Sequence, residues 1–372
     1  MRNPLIELKE FGQSVWLDNI SRSLLKNKEL NRLVESNGLG GVTSNPSIFQ
    51  KAIADTNDYD EQIFSLLSAN SNLSAKELFE ELAVKDIQDA ANVLSAVYDK
   101  TNGVDGYVSL EVSPELAYDT NATIEEARRL FKKVDRKNVM IKIPATQEGL
   151  PAIKQMIYEG ININVTLIFS PTIYQQVVET YIKGLEKRVD EGKDISSISS
   201  VASFFISRID TDVDNALENI SNNDLKGKIA IANARLVYQT SKNIFSNDRF
   251  KTLQEKGAKV QRLLWASTST KNPDYPDILY VTELAGKNTV NTLPPATMAA
   301  FKDHGIVTDA INKNLGEAEE QMKKLSELSI NFEQIADKLT TVGVDLFIES
   351  YRKLNSAINK KKEAMLTKLI KD

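Results

Sequence analysis

With 372 residues, 41 % hydrophobic and 26 % charged, the sequence has enough material for one large α/β barrel with a helical appendage or for two ordinary domains, and its composition excludes a disordered chain. A net charge of −5 argues against a nucleic-acid partner, which normally leaves a basic domain or stripe, so any phosphate handled here is small and local. There is no cysteine and only one histidine, His304, which removes disulfide frameworks, thiol nucleophiles, and Cys- or His-rich zinc sites.

The first residues, Met1–Glu10, carry acidic side chains and no sustained apolar run, so neither a secretory signal nor a membrane span is expected and the protein is placed in the cytoplasm. Short β-rich runs then recur at Ser14–Asp18, Gly41–Asn45, Gly106–Val112, Val139–Ile143, Ile163–Phe169, Ser199–Phe205, Val260–Ala266 and Thr289–Leu293. Between them, apolar spacing predicts helices such as Ala75–Tyr98, Ile124–Val134, Pro151–Tyr158, Pro171–Arg188 and Val213–Ile220. Strands alternating with helices imply a parallel sheet, and eight such units favour a closed (β/α)8 TIM barrel over an open doubly wound sheet. No GxGxxG or GxxxxGK[ST] follows any strand, which removes the usual nucleotide fingerprints of the open alternative. His304 lies in Lys302-Asp303-His304-Gly305, a helix-ending and solvent-facing context that is poor for a catalytic triad. From Gly305 the pattern is helical only, with Ala310–Leu328 and Val342–Lys371 as the clearest stretches. The expected division is a barrel domain over 1–304 and a C-terminal helical extension over 305–372. The Lys360-Lys361-Lys362 run reads as a solvated helix face.

In a barrel strand alternate residues face inward, and those near the strand's C-terminal end meet at the mouth where this fold does its chemistry. In Val139–Pro144 the aliphatic Val139, Ile141 and Ile143 face the helices, which leaves Met140 and Lys142 inward. Burial disfavours a charged ammonium, and that is how an amine becomes a nucleophile toward a ketone. The same alternation turns Ser109 and Glu111 inward, then Asn162, Asn164 and Thr166; Asp18, Thr43, Asn45, Ser203 and Phe205 repeat it on other strands. Buried amides and hydroxyls need partners, so the row Asn162, Asn164 and Thr166 points to a polyhydroxylated ligand or ordered water. Singly, each residue has a plainer reading: Lys142 and Glu111 as an ion pair filling a barrel layer, Asn45 as the turn residue before Pro46. Together they are out of place in an interior normally packed by branched aliphatics, and an active site is the better account.

The segments Thr43-Ser44-Asn45-Pro46-Ser47, Val139–Pro144 with Glu148-Gly149, and Gly160–Leu167 resemble those of the transaldolase family, and the stretch from Trp265 through Lys271 to Thr289–Pro294 is similar to its longer bacterial subgroup. The resemblance implies that Lys142 forms a Schiff base with C2 of a ketose phosphate and that Asp18 is the acid/base for the C4 hydroxyl. It further implies that Glu111 and Thr166 hold a water for proton transfers, that Asn45 and Asn164 hold the dihydroxyacetone hydroxyls, and that Ser203 and Phe205 line the site, with Thr43 supporting Asn45. Arg208 matches a phosphate-binding arginine. The second such arginine falls near Ser267–Lys271, where this sequence has Lys271, which binds phosphate as a point charge or is only a solvated loop lysine. The implied substrates are sedoheptulose 7-phosphate and glyceraldehyde 3-phosphate, giving erythrose 4-phosphate and fructose 6-phosphate in the non-oxidative pentose phosphate pathway. No metal or organic cofactor is implied, and no nucleic-acid or membrane partner; the expected assembly is a monomer or homodimer. The C-terminal helices are expected to limit water at the mouth. Two other functions stay open: a fructose 6-phosphate aldolase-like enzyme that releases free dihydroxyacetone, and a non-catalytic phosphosugar-binding barrel.

Overall fold

The computed structural model describes residues 2–369, with side chains through Thr367. Eight parallel strands close into a barrel in sequence order: β1 (Gln13–Asp18), β2 (Gly41–Thr43), β3 (Tyr107–Glu111), β4 (Val139–Pro144), β5 (Ile163–Ile168), β6 (Ser200–Phe205), β7 (Arg262–Ala266) and β8 (Thr289–Leu293), with β8 pairing back to β1. Each strand coincides with a predicted run to within a few residues, and helices return the chain between strands, the longest being Ala75–Lys100 and Pro171–Asp190. The predicted TIM barrel is therefore the observed fold. Among the described residues no helix is long and apolar enough to cross a membrane.

The alternation predicted for the strands holds in their packing. Val139, Ile141 and Ile143 are fully buried under the surrounding helices. On β1 the inward residue below Asp18 is Trp16, and Gly41 on β2 makes room for it: a Cβ at Gly41 would stand 2.5 Å from the indole. The indole nitrogen donates to Asp105 at 3.0 Å, and Arg262 and Ser14 bond the same carboxylate, so the floor of the barrel is a closed polar plug.

Three element boundaries need correction. Asn45 is not a strand residue; β2 ends at Thr43, and Asn45 caps the helix Pro46–Ala54, its Oδ1 accepting from Ile48 N at 3.0 Å. The predicted helix Ala310–Leu328 begins only at Leu315, because Ile311 N bonds Ala285 O and Ala310 O accepts from Arg235, which commits that backbone to the barrel. The last helix starts at Phe332, ten positions before the expected Val342, because Asn331 accepts from Gln334 N there; the predicted end at Lys371 lies outside the described residues.

That helix, Phe332–Leu369, crosses the mouth of the barrel. Lys338 pairs with Asp212 on one side, Gly343 meets Leu167 and Arg208 over the end of β5, and Ser350 bonds Ser47 beyond β2. Two lysines of the predicted solvated run fasten its far end: Lys361 donates to Thr56 O and Asp60, and Lys362 to Leu73 O. Those carbonyls, unused by neighbouring helices, are why the lysines fold down and do not stay in solvent. His304 is exposed at the end of the helix Pro295–His304, bonded to Asp277 and Asp303, as its sequence context predicts.

Candidate active site

The C-terminal ends of the strands surround a cavity of about 130 Å³. Of the residues singled out from sequence, Asp18, Thr43, Asn45, Lys142, Thr166, Ser203, Phe205, Arg208 and Lys271 line it. Glu111 and Asn164 stand immediately behind this wall, paired in register with Lys142 from β3 and β5 on either side.

Lys142 is 4 % exposed and has three neighbours on its amine. Nζ donates to Ser44 O at 3.2 Å, lies 3.6 Å from Glu111 Oε2, and sits 5.6 Å from the ring centroid of Phe347. Apart from the Lys142 amine at 3.6 Å from Glu111 Oε2, neither Glu111 Oε2 nor Thr166 Oγ1, both buried, has a hydrogen-bond partner among the described residues. Buried polar atoms are normally partnered, so two of them near one amine mark a place for a ligand atom or a water. Burial pushes the Glu111 carboxyl up to about 7, against the pull of the Lys142 charge and its hydrogen bond and with help from the Asp18 charge. Such a group is near half-protonated at neutral pH and can both give and take a proton.

Asp18 faces the amine from β1. Its Oδ1 accepts from Thr43 Oγ1 at 2.7 Å, and Thr43 in turn meets Thr292 Oγ1 at 2.7 Å, so two strands fix the carboxylate's orientation. Burial raises its pKa above the ordinary carboxylate value, opposed by the charge of Lys142, the Thr43 hydrogen bond and the charge of Lys271. Asn164 is held by both ends: Nδ2 donates to Ser109 at 3.0 Å and Oδ1 accepts from Ser203 at 2.7 Å. One N–H of Asn164 is left to offer, and at Asn45, whose oxygen is spent on its helix cap, the amide nitrogen is the free group. Asn162 does not join the site. It faces inward as predicted but at the floor, where Nδ2 donates to Lys137 O and Val139 O and Oδ1 accepts from Ser199 N. Alternation gives the face of a strand, and height along the barrel decides whether that face meets a ligand.

At the outer end of the cavity Arg208 and Lys271 stand without a carboxylate partner among the described ion pairs; Arg208 Nη1 is buried and unpaired, and Lys271 bonds only Ser269 Oγ, at 2.8 Å. Burial lowers the pKa of both, and for Lys271 the charge of Arg208 adds to the effect. Two cations that oppose each other across a mouth are relieved by a dianion between them.

Sequence reasoning missed Phe347, Ser267, Ser269, Thr292 and Pro294, which also line the cavity. Ser267, Ser269 and Thr292 belong to segments already singled out, so their proximity was readable. Phe347 had no such signal, because it is one apolar residue on a helix far along the chain. It reaches the amine because Gly343, one turn earlier, lets the helix lie on Leu167: a Cβ there would come 2.8 Å from Leu167 Cδ2. Leu167 itself has φ 60, at the register shift in the β5–β6 pairing between Val165 and Ile168. Among the described residues no cluster of three or more His, Asp or Glu side chains is placed to hold a metal ion.

Comparison with known proteins gives the chain's relatives. A family model described as "Transaldolase/Fructose-6-phosphate aldolase" matches residues 15–358. The chain is 47 % identical over 373 residues to "Transaldolase 2" of Nostoc sp. (strain PCC 7120 / SAG 25.82 / UTEX 2576), covering 96 % of this chain and 97 % of that one. It is 46 % identical over 372 residues to "Transaldolase" of Trichodesmium erythraeum, covering 96 % and 97 %, and 46 % identical over 366 residues to "Transaldolase" of Acidothermus cellulolyticus, covering 98 % of each.

Proposed function

Because the chain belongs to the transaldolase/fructose-6-phosphate aldolase family, we propose that Lys142 carries a transaldolase reaction through a Schiff base, with Glu111 and Asp18 dividing the proton transfers between them. The activity is that of a transaldolase, a transferase acting on sugar phosphates in the pentose phosphate pathway. The observation that carries the residue assignment is the buried Lys142 amine 3.6 Å from a Glu111 carboxyl whose pKa is about 7.

The neutral amine attacks C2 of the ketose phosphate and gives a carbinolamine. Glu111, protonated, and a water held between it and the unpaired Thr166 hydroxyl deliver the proton with which the C2 oxygen leaves, and the iminium remains. Asp18 takes the proton of the C4 hydroxyl, the C3–C4 bond breaks into the iminium, and the aldose departs. The dihydroxyacetone enamine is held by the spare N–H groups of Asn45 and Asn164, while Ser203 keeps Asn164 in place and Phe205 closes one wall. An acceptor aldehyde then reverses the steps, Asp18 returning its proton to the new C4 oxygen. Sedoheptulose 7-phosphate as donor and glyceraldehyde 3-phosphate as acceptor fit this order, giving erythrose 4-phosphate and fructose 6-phosphate. Their phosphates lie between Arg208 and Lys271, and because such charged sugars do not cross a bilayer unaided, the enzyme acts on them in the cytoplasm. The barrel, 1–304, supplies these groups, and the extension, 305–372, supplies Phe347 as a cover that keeps water from the enamine.

Transfer is tested against simple cleavage by assaying free dihydroxyacetone with fructose 6-phosphate as donor. With erythrose 4-phosphate as acceptor, a transferase makes sedoheptulose 7-phosphate and glyceraldehyde 3-phosphate with little free dihydroxyacetone; release matching turnover indicates an aldolase.

Two further outcomes are expected. Arg208→Ala raises KM for fructose 6-phosphate by about 10- to 100-fold, the worth of a charge-assisted hydrogen bond, and leaves kcat within a few-fold; Lys271→Ala, at a more exposed position, has a smaller effect of the same kind. Steady-state kinetics on both variants separates KM from kcat. Schiff-base formation needs Glu111 protonated, and the protonated fraction falls as pH rises through about 7. Glu111→Gln is therefore expected to slow its single-turnover rate about 10²-fold or more and to remove the part of its pH dependence that titrates near 7. Borohydride quenching across pH measures both.

A further inference from the structure

Behind Glu111, on the side away from the sugar-phosphate cavity, lies a second and narrower cavity of about 30 Å³. It reaches from Glu111 to Lys76, which is exposed, so its outer end is at the surface between the helices Ala75–Lys100 and Thr120–Val134. A void of this size takes about two waters. Its walls are mostly apolar, formed by Phe79, Ala83 and their neighbours, but two polar atoms in it are buried without a short hydrogen bond among the described residues: Glu111 Oε2, whose nearest partner is Lys142 Nζ at 3.6 Å, and Ser113 Oγ. Leaving such atoms dry is costly, and water in this cavity can satisfy both. Ser113 is fixed there because its backbone N donates to Glu126 Oε1 at 2.7 Å. The Tyr351 phenol, from the helix that covers the barrel mouth, lies against Ser113 and Asn355, and Asn355 Oδ1 is also buried and unpartnered. Glu111 lines this cavity and its Oε2 stands 3.6 Å from Lys142 Nζ, which lines the other, so the carboxyl lies between the two; Asn45 lines both.

We infer that this cavity is a water and proton port for Lys142, separate from the mouth through which sugar phosphates pass, and that Ser113 is its positioning residue. The inference rests on the Schiff-base reading, and chemistry explains why that reaction needs a second path. When the Nζ–C2 bond has formed and the C2–O bond breaks, the Glu111 proton leaves with that oxygen as water, and an iminium and the Glu111 carboxylate remain. At that moment the mouth is filled by the rest of the ketose phosphate and covered by Phe347. The water leaves past Glu111 into the port. In the product half-reaction a water returns by the same path and adds to C2, and Glu111 recovers the proton. Atoms and charges balance over the cycle with no other reactant.

Dehydration and rehydration exchange the C2 oxygen with solvent, so incorporation of ¹⁸O from H₂¹⁸O into C2 of fructose 6-phosphate, without acceptor and above the spontaneous rate, reports traffic through the port. Ala83→Leu fills the cavity and Ser113→Ala removes its hydroxyl; each is expected to lower enzymatic exchange about tenfold, and Ser113→Thr, which keeps the hydroxyl, to restore it to within about twofold of wild type. In Ser113→Ala the end-point amount of borohydride-trapped Lys142 adduct and the melting temperature stay unchanged, which a merely structural role would not give together with slowed exchange. Should Ala83→Leu fail to fold, Ser113→Ala decides. Exchange at the wild-type rate in folded Ser113→Ala overturns the port and leaves the mechanism standing, whereas absence of any Lys142 adduct in the wild-type protein overturns the Schiff-base reading itself.

Discussion

Lys142→Ala is expected to lose at least about 10⁴-fold in kcat while still binding fructose 6-phosphate. The loss is large because no neighbouring group can replace the amine. Glu111 and Asp18 are proton carriers, Ser44 offers a carbonyl, and Thr166 offers one hydroxyl with no base on it among the described residues. Binding survives because the two phosphate cations, Arg208 and Lys271, sit at the other end of the cavity. Lys142→Arg is expected to be as inactive, since a guanidinium keeps its proton at any working pH and cannot attack a carbonyl. Coupled turnover assays with calorimetric titration of fructose 6-phosphate check both halves. A variant that turns over at more than about one per cent of wild type, with binding intact, would mean that the amine is a fixed charge and not a nucleophile.

Asp18→Asn is expected to slow C3–C4 cleavage about 10²- to 10⁴-fold and to leave Schiff-base formation nearly untouched. The division follows from position. Asp18 is carried on β1 and oriented by Thr43, across the cavity from the Glu111 side of Lys142, and Glu111 serves the C2 oxygen. An amide keeps the shape and can still contact Thr43, but it cannot take the C4 proton. The variant should therefore accumulate the full ketose phosphate on Lys142, whereas wild type accumulates the three-carbon fragment. Mass spectrometry of the borohydride-reduced adduct distinguishes the two. If the variant carries the three-carbon adduct at the wild-type rate, another group takes the C4 proton and the role assigned to Asp18 is wrong.

The barrel was legible because its signal is repeated: eight β-rich runs separated by helical patterns leave few arrangements open. Much of the site was legible for the related reason that period-two alternation sorts each strand into two faces, and polar residues on the inward face are rare enough to stand out. Lys142, Glu111 and Thr166 were found this way. Asn162 was misread by the same rule, because alternation says nothing of depth and its partners at the floor are backbone carbonyls distant in sequence. Asn45 was placed on the right rim for a reason that was half complete: Pro46 after it marks a helix start as much as a turn, and the cap decides which of its two polar atoms is free. Phe347 and the clamping role of Lys361 and Lys362 could not be read at all, since a helix's periodicity shows that it has an apolar face but not what that face will meet. Gly343 and Leu167 show the same limit from the backbone side. A glycine in a helix and a leucine with φ 60 make sense only when the two are seen against each other.

The most direct test of the Schiff-base assignment is mass spectrometry of the intact and digested protein after borohydride treatment with fructose 6-phosphate, for the wild-type chain and Lys142→Ala in parallel. A reduced three-carbon adduct on the peptide containing Lys142, absent from a folded Lys142→Ala protein, is the predicted result. A folded wild-type protein that carries no adduct, or carries it on another lysine, would contradict the account.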